Sequence, residues 1–207
     1  MELPCSVVFA YFFWYAGPKR KSKAQLVLGT MFSLHYAYRG WYYPFFNVRP
    51  SPNASFDLPT ALASWIVTVT HGYLNAKWIG VFGPFKSDSH LRSATFWVGA
   101  AIYYTGFALI VRHDSIMRAL REAPNAPRYS IPRGWLWEYS ANAHYLSELI
   151  AWFGWATATG FGPNAFVFFV SCFNLVPRAA TNFAWYEDKF GDEFRALNRA
   201  VLVPGVW

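Results

Sequence analysis

The sequence predicts an all-α fold, a polytopic bundle of membrane-spanning helices, and three observations carry that expectation. Of 207 residues, 55% are hydrophobic and 21% aromatic while only 14% are charged, against about 25% charged residues in a typical soluble domain. The charge that remains is confined to short segments between long uncharged runs. Those runs approach the length, about 20 residues, that a helix needs to cross the hydrocarbon core. The formal net charge of +7 suits a surface that faces anionic headgroups or a phosphorylated ligand.

Each run gives one element. Leu3 to Gly17 is uncharged and is closed by Pro18 and the basic cluster Lys19, Arg20, Lys21 and Lys23. Ala24 to Val48 is apolar and aromatic, interrupted only by Arg39. Leu58 to Ala76 is uncharged apart from His71, and Ser93 to Val111 is bounded by Arg92 and Arg112. Leu149 to Pro177 is uncharged and breaks at Gly160-Phe161-Gly162-Pro163, a turn sequence. Split there, the two halves must extend outward to cross a bilayer, from near Ala141 in one direction and towards Tyr186 in the other. That draws Glu148 and Arg178 to membrane depth, where Arg39 also lies. The count is six spans in one domain over residues 1–207. Charges at membrane depth are expensive and mark function more often than not; the structural alternative is snorkelling from helix ends. The abrupt apolar start, Met-Glu-Leu-Pro, leads us to expect a preceding segment, and it lacks the features of a cleaved secretory signal.

Six spans divide the loops between two sides. One holds Lys19, Arg20, Lys21, Lys23, Lys86 and Arg92. The other holds Arg49, Arg112, Arg118, Arg121, Arg128, Arg133, Lys189, Arg195 and Arg199. The positive-inside rule assigns the second side to the cytosol, so the sequon Asn53-Ala54-Ser55 should stay unmodified there.

Cys5 and Cys172 provide neither a disulfide framework nor metal spacing, and no metal site is expected. No Gly-x-Gly-x-x-Gly follows a strand, which argues against a Rossmann site, and no nucleophilic triad can be assembled. Nothing points to nucleic acid or to an obligate protein partner; the expected partners are the bilayer and a lipid or steroid substrate. The segment Arg112 to Arg133 holds five arginines. Arg118 and Arg121 share a helical face, with Asp114 one turn earlier. Arginine forks match phosphate bidentately, so a phosphorylated cytosolic cofactor is the functional reading and a headgroup-binding surface the structural one. In the second run, Tyr36, Arg39 and Tyr43 fall on one side of a helix. A tyrosine hydroxyl in an apolar pocket can polarise a carbonyl; aromatic belting at the interface is the plainer reading of Tyr42 and Tyr43. His35 reads as a packed histidine.

Taken in order, these residues resemble the steroid 5-alpha-reductase family. Glu2-Leu3-Pro4 resembles the family's Glu-Leu-Pro. Leu34-His35-Tyr36 with Arg39 and Tyr43-Pro44 is similar to its Leu-His-Tyr-x-x-Arg motif. Asp114, Arg118, Arg121, Tyr129-Ser130-Ile131-Pro132-Arg133-Gly134 and Glu138-Tyr139 resemble its central blocks. Tyr145 and Glu148 match Asn-Tyr-x-Gly-Glu, and Arg178, Trp185-Tyr186, Arg199 and Pro204 resemble the C-terminal block. The resemblance implies a seven-helix membrane enzyme, here without its first helix, located in the endoplasmic reticulum with its cofactor site open to the cytosol. It implies hydride transfer from NADPH to the conjugated C=C bond of a 3-oxo-4-ene steroid or a related lipid enone. Glu2 and Tyr36 would hold the carbonyl oxygen, and Arg39 and Tyr43 would line the substrate pocket. Asp114, Arg118, Arg121, Tyr129, Glu148, Arg178, Asn182, Tyr186 and Arg199 would hold the cofactor. The chain departs from the pattern at His144 and Asn182, where the family has Asn and His, at His71, which replaces another Asn, and at Ser147, which replaces Gly. The alternatives are a reductase of polyprenol or long-chain enoyl thioester, or a scaffold kept without catalysis. A transporter is disfavoured by the absence of internal symmetry.

Overall fold

A computed structural model describes residues 2–47, 57–122, 127 and 129–207. All regular structure among them is helical, apart from one isolated bridge between Ser140 and Ala200. Arg49, Arg128 and the sequon at Asn53 lie outside the described residues.

The helices fall where the uncharged runs place them. Pro4 opens α1 (Leu3–Phe9), which widens into a π-helical segment, Ala10–Tyr15. Helix α2 (Lys23–Tyr36) starts on a capping box: the Ser22 hydroxyl accepts from Gln25 N–H and the Gln25 side chain accepts from Ser22 N–H. It passes into a π-helical segment, Ala37–Asn47, that contains Pro44. Helix α3 (Leu58–Lys77) is capped by Asp57, whose carboxylate accepts from Thr60 N–H at 2.9 Å, and continues as π-helical Trp78–Phe82. Asp57 is solvent-exposed, and its hydrogen bonds with Thr60 lower its pKa. Helix α4 (Ala94–Glu122) outruns the expected span by a further three turns, so Asp114, Arg118 and Arg121 sit on it, in keeping with their helical spacing. The i, i+4 pair Arg118–Glu122 supports that extension. Helix α5 (Ala143–Ala158) ends at the turn around Gly160, and α6 (Phe166–Phe190) carries Pro177 internally before the short α7 (Asp192–Arg195).

The chain forms two compact units, residues 1–101 with 154–167, and residues 102–153 with 168–207. Within the first, Gly99 meets the backbone of Ala158; within the second, Gly106 meets the backbone of Ala151. A Cβ on Gly106 would lie 2.4 Å from Ala151 N, so only glycine permits that approach. Small residues at such crossings are the usual device for packing helices in lipid. Two helical stretches, Ala94–Glu122 and Pro163–Phe190, are long and apolar enough to cross a membrane. Helix α3 turns Leu62, Trp65, Ile66, Val69 and Tyr73 outward, a continuous apolar stripe of 40–68% exposed side chains of the kind that marks a lipid- or partner-facing surface.

Candidate active site

In the first unit the start of α1 meets the end of α2. Arg39 Nη2 donates to Glu2 Oε1 at 2.8 Å, with the arginine side chain 13% exposed. Its guanidinium also lies 5.1 Å over the Tyr43 ring. Tyr36, the last residue of α2, is buried against Phe32, His35 and His71, with the Cys5 thiol beside its hydroxyl. Tyr36 helps line a largely apolar cavity of about 360 Å³ with Ser6, Phe9, Phe32, Ser33 and Trp41. That volume lies within the range of small-molecule pockets, roughly 300–1,000 Å³. The Trp41 indole is pinned by its N–H to Ser6 Oγ at 3.0 Å. The structure thus joins Glu2, Arg39 and Tyr43 in one cluster and places Tyr36 on a cavity wall.

Beneath Tyr36 runs a polar chain that sequence reasoning missed. Trp155 Nε1–H donates to Asn75 Oδ1 at 2.8 Å, and Asn75 Nδ2–H donates to His71 Nδ1 at 2.9 Å. All three residues are buried. Because Nδ1 accepts, a neutral His71 carries its proton on Nε2. Asn75, a lone amide in an uncharged run, was the available signal.

The second unit gathers the cationic and aromatic residues. Arg121, Tyr129 and Tyr186 line a cavity of about 210 Å³ together with Met117, Leu120 and Trp185. Tyr129 packs edge-on against Trp185 and carries the Lys189 ammonium 5.7 Å from its ring. Asp114, Arg118 and Glu148 are half-buried and Arg178 is exposed; all four lie outside that cavity's lining. Asn182 Nδ2 donates to Asn142 Oδ1 at 3.1 Å and to Tyr145 Oη at 3.3 Å. Asn142, fully buried, in turn donates to the carbonyls of Ala179 and Val201. His113 and Ser147, both fully buried, are joined at 2.8 Å. Ser147 gives its hydroxyl proton to Ala143 O, so His113 must donate from Nδ1. The departure at Ser147 is therefore matched by a histidine one residue before Asp114.

Arg199 is the least ordinary group in this unit. Its side chain is 1% exposed, with Nη2 3.8 Å from Glu138 Oε2, and among the described residues none of its three guanidinium nitrogens makes a hydrogen bond. Glu138 directs its other oxygen to Gly134 N–H. Burial lowers the Arg199 pKa and the neighbouring Arg133 charge adds to that, while Glu138 and Tyr186 oppose it. A buried guanidinium without acceptors is costly. Its fork is made for a carboxylate or phosphate.

The sequence of residues 54–207 matches the family model described as 3-oxo-5-alpha-steroid 4-dehydrogenase. The chain is 30% identical to the steroid 5-alpha-reductase DET2 of Gossypium hirsutum, with 98% of this chain and 78% of the relative covered. It is 32% identical to the 3-oxo-5-alpha-steroid 4-dehydrogenase 1 of Bos taurus, over 86% of this chain and 68% of the relative. With the DET2 reductase of Solanum lycopersicum it shares 29% identity, over 85% of this chain and 67% of the relative. The chain belongs to the 3-oxo-5-alpha-steroid 4-dehydrogenase family, the steroid 5-alpha-reductases, and is an oxidoreductase acting on CH–CH groups.

Proposed function

We propose that this chain is a polytopic membrane reductase of six spans that reduces the C=C bond conjugated to the 3-oxo group of a 4-ene steroid, using NADPH. The observation that carries the cofactor reading is the buried Arg199 guanidinium, whose five N–H donors meet no hydrogen-bond acceptor among the described residues. A phosphate would supply the missing acceptors, beside the one carboxylate, Glu138, that stands 3.8 Å away. Arg121, which lines the cavity beside Tyr129 and Tyr186, gives a second cation in the same unit. Asp114, Arg118, Glu148, Arg178 and Asn182 complete the proposed cofactor set. Bound there, NADPH would supply a hydride for the β carbon of the enone and leave as NADP⁺, while the α carbon of the resulting enolate takes a proton from water.

The chain's own chemistry lies at the ketone. A hydrogen bond from Tyr36 O–H to the 3-oxo oxygen withdraws electron density along the conjugated system and leaves the β carbon electrophilic. Glu2 accepts from Arg39 in the structure; to donate to the same ketone oxygen its carboxyl must carry a proton and leave that partner. Arg39 and Tyr43, held together as a cation–π pair and not among the residues lining the 360 Å³ cavity, would give the substrate pocket its polar side, and the aromatic wall of that cavity suits a flat apolar ring system. The outward apolar stripe of α3 and the two long apolar stretches support membrane embedding, in the endoplasmic reticulum with the cofactor-binding unit open to the cytosol.

Purified chain in detergent or vesicles, given NADPH and a 3-oxo-4-ene steroid, should yield the 5-alpha-reduced ketone. Oxidation of NADPH with a long-chain enoyl thioester but not with the steroid would transfer the reading to that branch. NADPH binding with no enone reduced would leave a scaffold without catalysis.

A further inference from the structure

A second cationic cavity lies in the first unit, formed by residues 18–25 and 80–86. It has a volume of about 360 Å³ and is lined by Pro18, Arg20, Lys21, Ser22, Gln25, Gly80 and Lys86. Its frame is fixed by hydrogen bonds between the two segments. Gln25, buried, donates to the carbonyls of Ile79 and Gly80 at 3.0 Å each, and Ser22 Oγ donates to Phe85 O. Lys23 N–H at the start of α2 donates to Asp88, so the helix end is already capped and is not what draws an anion.

The cations are. Lys21 is held in place: its ammonium donates to Pro18 O at 2.7 Å and lies 5.2 Å from the Phe13 ring and 5.8 Å from the Trp14 ring. Arg20 and Lys86, both exposed, have neither a salt bridge nor a hydrogen bond among the described residues. Three cations converging on one cavity without a carboxylate in its lining repel each other until an anion enters. The residues next in sequence to its two lining segments decide the kind of anion. Trp14 and Tyr15 at the end of the first helical run, and Phe82 at the end of the third, are 41%, 84% and 73% exposed. Aromatic side chains at the ends of apolar helices mark the level of the headgroups. An ion free in solution has no use for that apolar collar, whereas a phospholipid presents a phosphate and acyl chains together.

We propose that this cavity binds the phosphate of an anionic phospholipid, with Arg20, Lys21 and Lys86 on the phosphate and the exposed aromatic residues against the acyl chains. It shares no lining residue with either cavity of the proposed reductase site and rests on the membrane reading, not on the reductase chemistry.

The test uses the full chain reconstituted in phosphatidylcholine vesicles with a minor share of phosphatidylglycerol, re-purified, and assayed for retained phosphatidylglycerol. Wild type should retain it well above its share in the vesicles. The variant R20Q/K86Q should lose that retention by on the order of tenfold, since each surface cation is worth several-fold in affinity for anionic lipid. The control variant K19Q/K23Q removes the same charge from the same segment outside the cavity and should retain the lipid. Equal thermal stability of both variants in pure phosphatidylcholine shows that folding is intact. Equal loss in both variants reduces the effect to diffuse surface charge and overturns the site, as does retention in R20Q/K86Q. Release of the lipid by millimolar inorganic phosphate at constant ionic strength assigns the cavity to a soluble anion and overturns the lipid.

Discussion

Tyr36 and Arg199 present two different kinds of buried polar group. Tyr36 is buried on the wall of a cavity with its phenol beside the Cys5 thiol. Replacing it with Phe removes one hydroxyl and leaves the ring packing on Phe32 and His71. We expect Tyr36→Phe to lower turnover about 10²–10³-fold, the usual cost of one oxyanion-type donor, with NADPH affinity unchanged in a fluorescence titration. A parallel fall in affinity would remove Tyr36 from the ketone site. Arg199 already meets no acceptor among the described residues, so its loss should show in binding. Arg199→Gln should weaken NADPH about tenfold to a hundredfold, the loss of one charge-assisted fork worth roughly 1.5–3 kcal/mol. Arg199→Lys should recover only part of it, because an ammonium cannot fork; unchanged affinity in both variants would make Arg199 structural. The identity of these residues was legible in the sequence, and their environment was not. Arg121 and Arg199 look alike as letters, yet one is exposed and the other has a side chain only 1% exposed. Asn142 gave no signal at all, since its partners are carbonyls 37 and 59 positions away. Asn142→Ala should cost about 1–3 kcal/mol by leaving those carbonyls unsatisfied, read as a lowered melting temperature.

At the scale of elements, uncharged runs located the helices because a long apolar stretch of backbone must satisfy its own hydrogen bonds, which a helix does internally. The Gly160-Phe161-Gly162-Pro163 break was legible for the same reason: Gly160 and Phe161 adopt positive φ values of 78° and 50° there. The three π-helical segments were not legible. Each lengthens an α-helix already under way, and the shift from i, i+4 to i, i+5 bonding over so few residues leaves no period in the sequence. One of them matters for the site, since Arg39 and Tyr43 take their cation–π contact from the segment Ala37–Asn47. The end of α4 was legible in its helical spacing but not in its length: the uncharged run stops at Val111, while three of the five arginines between 112 and 133 lie on the same helix. Helix crossings were equally hidden, because a glycine in an apolar run shows nothing of what faces it. Gly106 faces the backbone of Ala151 at a distance no Cβ tolerates. Gly106→Leu should force α4 and α5 apart and cost about 1–3 kcal/mol or more by overpacking, seen as a large fall in thermal stability in detergent. Gly134, with nothing near its Cβ position, is not sensitive for this reason, and a comparable fall there would have to come from its φ of 89°.

At the scale of the whole molecule the question is which way the chain faces. The six spans we propose would put the segments 18–23 and 83–92 on one side of the membrane, and the end of α4, the segment 129–142 and the C-terminus on the other. The second side carries Arg112, Arg118, Arg121, Arg133, Lys189, Arg195 and Arg199 among the described residues, and the first carries Lys19, Arg20, Lys21, Lys23, Lys86 and Arg92. The excess is small, and lysine and arginine near the membrane count most when loops are short, as both sets are. A second argument points the same way. The proposed cofactor, NADPH, is a soluble cytosolic phosphate ester, and in that topology the cavity lined by Arg121, Tyr129 and Tyr186 would belong to the more basic side. Engineered glycosylation acceptors appended after Trp207, or inserted beside Gly191, should therefore stay unmodified in microsomes. An acceptor inserted between Lys86 and Arg92, with enough spacer to clear the membrane, should be modified. Glycan addition at the C-terminus would reverse the orientation and place the cofactor-binding unit on the luminal side. Modification at all of these positions would contradict six spans themselves, since an even number of crossings separates neither end of the chain from the other while Lys86–Arg92 lies across the bilayer from both.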